Sequence, residues 1–326
     1  MRVLALLHMS VPVHNAGAET HTHAMLRALV DAGHHVSVQL SQPLPDGDYR
    51  IDGIEVHGWR HKRDVFDRLP ADVILTHLEN TPRATVIGEM ARIPVVHLCH
   101  NDMAATARWL GRPGVALAVY NSRWMAESLQ AASGFAGASV VVHPYPDPAE
   151  YSTTPGDRVT LVNCWPPKGG LLLARLAERM PRTGFLAVEG AYGQPQILPD
   201  LPNVDVVAHT PDVRDEVLAR TRILLMPSEY ESFGRIGAEA MTCGIPVVAH
   251  PTAGLLENLG EAGTYCDRDD IGAWEDALRR LSTSRAWAAA SRAARRRAEA
   301  HSQARTGELE AFVAAVQRVA SHRRAA

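Results

Sequence analysis

The sequence predicts an α/β protein built from two doubly wound parallel sheets in tandem. Three observations carry that expectation. Short apolar runs of strand length alternate with amphipathic helical segments along the chain. The alternation breaks once, in the proline- and turn-rich stretch "PYPDPAEYSTTPGDR" from Pro144 to Arg158, and then restarts. The length of 326 residues agrees, since a domain usually takes about 150.

From the N-terminus, "RVLALLH" reads as a buried strand, "GAETHTHAMLRALVDAG" as a helix stopped by Gly33, and "HHVSVQLS" as the next strand, which makes one βαβ unit. "ADVILTH", "IPVVHLCH", "VALAVYNS" and "ASVVVHPY" continue the strands, with helices over "TPRATVIGEMAR" and "RWMAESLQAAS". The first domain is expected to span residues 1–147 and the second 148–326, with the C-terminal helices crossing back to the first domain as an open alternative. In the second, "VTLVNC", "GFLAVEG", "VDVVAH", "RILLMPS" and "IPVVAHP" are the strands, with helices from "GGLLLARLAERM", "VRDEVLART" and "GRIGAEAMTCG". From Ile271 to about Ala320 the chain is Ala- and Arg-rich and helical. Its "SRAARRRAEA" is expected to present a solvated basic face.

The totals exclude several classes. A net charge of -3 gives no broad basic field, so non-specific binding to nucleic acid or to an anionic membrane is not expected. Four scattered cysteines without a C-x-x-C pair argue against a zinc site or a disulfide framework. No apolar run reaches the roughly 18 residues that a membrane span needs, and "MRVLALLHMSVPV" lacks a signal-peptide cleavage pattern. The expectation is a cytoplasmic protein with free thiols.

Ligands of such sheets bind beyond the carboxyl ends of the strands, and two domains facing one another would form a cleft there. Three strand-to-helix loops carry candidate chemistry. In "HMSVPVHNAGAETH", Gly17 allows close backbone approach at a helix start that favours an anion; no G-x-G-x-x-G is present, which argues against a dehydrogenase. In "NCWPPKGG", Lys168 opposes the helix dipole, so it needs another partner such as a phosphate. In "PSEYESFGRIGAEAMTCGIPVV", Glu231 precedes a helix and Glu239 lies eight residues on, about one and a half turns into it. A carboxylate suits a vicinal diol, and the amides of Phe233, Gly234 and Arg235 suit phosphate oxygens. Diol, phosphate, diol outlines a nucleotide sugar, with Gly234, Gly237 and Ala238 read as clearing space for the diphosphate.

"SEYESFGRIGAEAMTCGIPVVA" resembles the E-x7-E signature of retaining glycosyltransferases of the GT-B fold, closest to the GT4 group. "AGAETHTHAMLRALVDAGHHVSV", "PPKGG" and "VYNSRWMAE" are similar to further segments of that group, in the same order. The resemblance implies two Rossmann-like domains, the C-terminal one holding a nucleotide-sugar donor and the N-terminal one most of the site for a hydroxyl acceptor. It assigns Glu231 to the donor sugar and Glu239 to the ribose diol. Gly17, Lys168, Ser232, Phe233, Gly234 and Arg235 go to the donor, and His100, at the end of "VVHLCHND", to a sugar or acceptor contact, ahead of His97, His77 and His14. No metal or other cofactor is implied, and no D-x-D motif competes. One departure stands out: where the family usually has an arginine, five positions before the lysine, this chain has Asn163. Arg235 is the expected replacement cation. The linker near Pro144 to Pro155 is the expected hinge. A sugar-nucleotide epimerase of the same fold and a non-catalytic nucleotide-sugar-binding subunit are the alternatives; the oligomeric state is left open.

Overall fold

A computed structural model describes residues 1–61, 65 and 68–325, with side chains as far as Ser321. The chain folds as two compact units, Met1–Pro144 with the stretch from Arg305 onward, and Tyr145–Ala304.

The N-terminal unit contains β1 (Arg2–Leu7), α1 (Gly17–Asp31), β2 (His35–Leu40), β3 (Tyr49–Ile51), β4 (Ile54–His57), β5 (Val73–His77), α2 (Thr81–Ala91), β6 (Val95–Cys99), α3 (Ala104–Leu110), β7 (Val115–Tyr120), α4 (Arg123–Ser133) and β8 (Ala138–Val141). Its eight-stranded sheet runs β3-β4-β2-β1-β5-β6-β7-β8, and only the β3–β4 pair is antiparallel. That pair is a hairpin the strand pattern had not suggested. Ile51 faces Ile54 across Asp52 and Gly53, which have φ of 47° and 79°. Positive φ at both central residues is what a tight two-residue hairpin turn needs, and Asp-Gly supplies it cheaply. One sheet face is covered by Met25, Leu26 and Leu29 of α1, spaced to form a single apolar stripe against Val3, Ala5, Val36, Val38, Val73 and Leu75.

The C-terminal unit contains α5 (Pro148–Tyr151), β9 (Arg158–Val162), α6 (Gly170–Arg179), β10 (Phe185–Val188), β11 (Val204–Val207), β12 (Thr221–Met226), α7 (Arg235–Thr242), β13 (Val247–Ala249), α8 (Ala253–Leu259), β14 (Thr264–Tyr265) and α9 (Ile271–Ser282). Its six strands run β11-β10-β9-β12-β13-β14, all parallel. The helix expected over "VRDEVLART" is reduced to one wide turn at Val213–Val217 and a 3-10 turn at Leu218–Arg220.

The last helix, α10 (Ser284–Ala325), begins in the second unit and ends in the first, where Phe312 and Val316 enter the core one helical turn apart. The basic face expected on it is partly structural. The Arg295 guanidinium donates to the carbonyl of Cys243, just past the end of α7, and Arg297 donates to the carbonyls of Asn258 and Glu257 in the last turn of α8. Carbonyls at a helix C-terminus lack intrahelical donors and carry the negative end of the dipole, so arginines are spent there. All four cysteines are free and buried. No helix among the described residues is long and apolar enough to cross a membrane.

Candidate functional site

Each sheet has one place where the chain reverses its direction of strand addition, and loops diverge there to leave a crevice. In the C-terminal unit it lies between β9 and β12, because β10 and β11 are added on one side of β9 and β12 to β14 on the other. In the N-terminal unit it lies between β1 and β5. The candidate residues collect at these two edges.

After β9 the chain turns at Asn163, whose φ is 69°, and enters the 3-10 turn Pro166–Lys168. The Asn163 side chain accepts from the Trp165 amide at 3.2 Å, a local turn that asparagine makes readily. Its amide group also fills the space beside Gly190, where a Cβ would come within 2.5 Å of Oδ1. A left-handed backbone and a closed turn thus account for asparagine here. Gly169 follows with φ 108°, and a Cβ on it would lie 2.1 Å from Pro227 Cγ, so only glycine lets this turn sit against the end of β12.

The two loops meet through charge. Lys168 Nζ lies 2.6 Å from Glu231 Oε1 and also donates to the Tyr230 carbonyl at 3.2 Å; Ser228 Oγ donates to the same Glu231 oxygen at 2.8 Å. Gly234, with φ 82°, begins α7 where a Cβ would strike Leu255. The fully buried Asn258 amide donates to the carbonyls of Phe233 and Gly234, at 3.1 and 2.8 Å, and so sets the path of the Ser232–Gly234 loop. The Phe233 ring is core, edge-on to Tyr145. Gly237 corrects the sequence reading: a Cβ there would meet Met226 Sδ at 2.8 Å, and Ala238 is fully buried, so both serve packing of α7 rather than open space for a ligand.

Glu239 is buried and receives the Arg235 guanidinium, Nε to Oε1 2.7 Å, one turn back on α7. Arg235 also donates to the Tyr151 hydroxyl at 2.9 Å, and its guanidinium lies 5.4 Å from that ring centroid. Burial works against the charge on Arg235, but Glu239 and Tyr151 outweigh it and hold the group above its ordinary value. The cation expected to stand in for the missing arginine is therefore committed to Glu239 and Tyr151.

In the N-terminal unit, Gly17 opens α1 and is exposed, and His100 directly follows β6. Around His100 stands a histidine cluster of which the sequence had hinted only in part. His8, after β1, bonds His77, at the end of β5, Nδ1 to Nε2 3.0 Å, and its Nε2 is 3.3 Å from Glu19 on α1. His77 and His21 meet the His100 ring edge-to-face, and Thr22 Oγ1 lies 3.1 Å from His100 Nε2. Of His8 Nδ1 and His77 Nε2 one donates and the other accepts, and His77 Nδ1 has no hydrogen-bond partner among the described residues. Burial first, then the neighbouring imidazoles His100, His8 and His97, hold His77 well below the usual histidine range. Burial with His100 brings His97 down to about 3, and burial with His8 brings His100 down to about 4. Among the described residues no three His, Cys, Asp or Glu side chains converge as a metal-ligand set.

Residues 174–284 match the family model described as glycosyl transferases group 1. Over its full length the chain superposes on sucrose-phosphate synthase from Thermosynechococcus elongatus with a TM-score of 0.75 at 17% identity, covering 100% of both chains. The chain carries a group 1 glycosyl transferase segment in a GT-B fold. Anabaena HepE, solved in complex with UDP-glucose, gives a TM-score of 0.74 at 17% identity, again over 100% of both. By sequence, the chain is 33% identical over 174 residues to a D-inositol 3-phosphate glycosyltransferase of Mycolicibacterium smegmatis, covering 49% of this chain and 39% of that protein. It is 36% identical over 128 residues to an O-antigen chain mannosyltransferase B of Escherichia coli, covering 36% of this chain and 29% of that one. The matched segments thus span less than half the length of these curated relatives.

Four contributors had no signal in the sequence: Asn258, Tyr151, Ser228 and Arg268, which are brought in by α8, α5 and the ends of β12 and β14. For Glu19 a signal existed, an acid in the first turn of a helix that starts at the reversal point, but it reads equally well as a dipole contact.

Proposed function

We propose that the chain is a group 1 glycosyltransferase that moves a sugar from a nucleotide-diphosphate donor to a hydroxyl acceptor, with retention of configuration and without a metal. The C-terminal unit holds the donor and the N-terminal unit the acceptor. One observation carries the reading: Lys168 and Glu231, from the two loops at the reversal point, pair at 2.6 Å. A nucleotide sugar offers a better partner to each. Its diphosphate takes the ammonium and its sugar hydroxyls take the carboxylate, so the pair opens only for a ligand bearing both groups. The amides of the Ser232–Arg235 loop add donors for the leaving phosphate, and together with Lys168 they do the work a divalent cation does elsewhere. Glu239, held by Arg235, receives the ribose diol. His100 contacts the sugar or the acceptor.

HepE was solved with UDP-glucose, which makes UDP the first nucleotide to try. In a thermal-shift panel of UDP, GDP, TDP and ADP, one nucleotide at a hundred times its Kd should add about 2.7 kcal/mol of stability. A flat response to all four would remove the donor reading. With the donor found, Glu231→Ala should lower turnover by about a hundredfold while changing nucleotide affinity far less, since its partner is the sugar. Glu239→Ala should show the reverse pattern. The variants are compared by mass-spectrometric detection of glycosylated acceptor and by calorimetry with the nucleoside diphosphate. Equal, small effects in both would sink the assignment of the two glutamates.

A further inference from the structure

Two prolines precede Lys168, so the turn that presents it closes on itself, through the Lys168 amide to the Trp165 carbonyl at 2.8 Å and the Gly169 amide to Pro166 at 3.0 Å, and Pro166 and Pro167 offer no N–H to the neighbouring loops. The side-chain ties that join it to those loops come from elsewhere. They come from Arg268, just beyond β14. One guanidinium nitrogen, Nη1, donates to the carbonyls of Pro167 at 2.7 Å and Pro227 at 2.5 Å, and Nη2 donates to Pro166 at 2.6 Å. Nη2 also lies 3.2 Å from Glu229 Oε1. The Arg268 amide is itself fixed, donating to His250 Nδ1 at 3.1 Å after β13. Pro167 accepts once more, from the Glu229 amide at 2.9 Å. A single planar fork therefore links the turn after β9 to the loop after β12, and its own anchor reaches the loop after β13.

We infer that Arg268 is a positioning residue for the donor site: it fixes the Pro166–Lys168 turn against the Pro227–Glu231 loop and thereby sets the Lys168 ammonium beside Glu231. This deepens the donor-site reading above and rests on it. Arg268 makes no contact with the ligand in this scheme. Its effect runs through the geometry of three carbonyls that only a rigid, multiply donating group can span; an ammonium carries the same charge but is a point donor on a flexible stem. Hence Arg268→Lys should fail as fully as Arg268→Gln, which separates the fork from simple electrostatics.

The test uses the full chain and two readouts. Hydrogen exchange without nucleotide should rise about tenfold or more at the amides of Lys168 and Glu229 in both Arg268→Lys and Arg268→Gln, while α9 exchanges as in the parent. In a double-mutant cycle read by UDP calorimetry (or the nucleotide found by the panel), Lys168→Ala should weaken binding by about tenfold or more in the parent and by about twofold in Arg268→Lys. Unchanged exchange at Lys168 and Glu229, or a Lys168→Ala effect equal in both backgrounds, overturns the inference. If exchange responds but the parent binds none of the four nucleotides, the clamp stands and the donor reading fails. Should Arg268→Gln not fold, Arg268→Lys carries both measurements.

Discussion

Replacing Arg235 with alanine should destabilise the C-terminal unit by about 3–5 kcal/mol, because it leaves the Glu239 carboxylate buried without its cation. In a unit of this size that is a fall in Tm on the order of 10 °C. The size follows from where the pair sits. An exposed pair at the same helical spacing would be worth about 0.3–0.5 kcal/mol. Here the side chains are 11% and 7% exposed, so water cannot take over when one partner is removed. Tyr151 adds to the loss, since its hydroxyl gives up the Arg235 donor. Glu239→Leu alone should cost a comparable amount by stranding the guanidinium. The double variant Arg235→Met with Glu239→Leu should recover most of the stability, since both charges then leave together. Denaturant melts of the four proteins decide the matter; an Arg235→Ala value within about 0.5 kcal/mol of the parent would show the pair to be solvated. Under the proposed donor-site reading, nucleotide binding should not return with stability, because the double variant lacks the Glu239 carboxylate that the reading assigns to the ribose diol.

Much of the fold was legible because it is written in local periodicity. The parallel strands β1, β2 and β5–β13 and the helix after the Glu231 loop are where the alternation of apolar runs put them. The β3–β4 hairpin was missed although its Asp52-Gly53 turn was in view, since three- and four-residue strands are too short to show a period. The candidate site was legible in its loops and less so in its supports. Lys168, Glu231 and Glu239 stand out as charged residues in a setting that does not otherwise call for them. Arg235 was read as a cation waiting for phosphate, because a sequence does not show that a residue four positions on is buried and facing it. Arg268 and Asn258 act on backbone carbonyls, and a backbone carbonyl has no letter in a sequence. The same holds for Arg295 and Arg297, which looked like a basic surface and are partly helix caps.

Acid should unfold the N-terminal unit well before the carboxylates titrate. His97 is fully buried, neither of its ring nitrogens has a hydrogen-bond partner among the described residues, and its folded value is down to about 3. His77 is equally buried and well below the usual range, while His100, down to about 4, keeps part of its edge accessible and counts for less. In the unfolded chain a histidine takes its proton near 6.5. Above that pH neither state binds the proton and these groups have no pH effect. Below it the unfolded state binds protons that the folded state refuses, so stability falls as pH falls, by up to about 1.4 kcal/mol per pH unit for each such histidine. The fall continues to about pH 4 for His100 and to about 3 for His97. Glu19, His8 and His21 face the same cluster from α1 and the end of β1, so the melt reports the whole constellation. The diagnostic variant is His97→Leu, similar in bulk and without polar atoms. Melts at pH 7.5, 6 and 5 should show its N-terminal transition losing less stability than the parent's between pH 6 and 5, by up to about 1 kcal/mol. At pH 7.5 it should be as stable as the parent or more so, since two unpaired buried nitrogens leave the core. Parallel pH profiles for the two proteins would mean that His97 reaches a proton donor or solvent in the folded state.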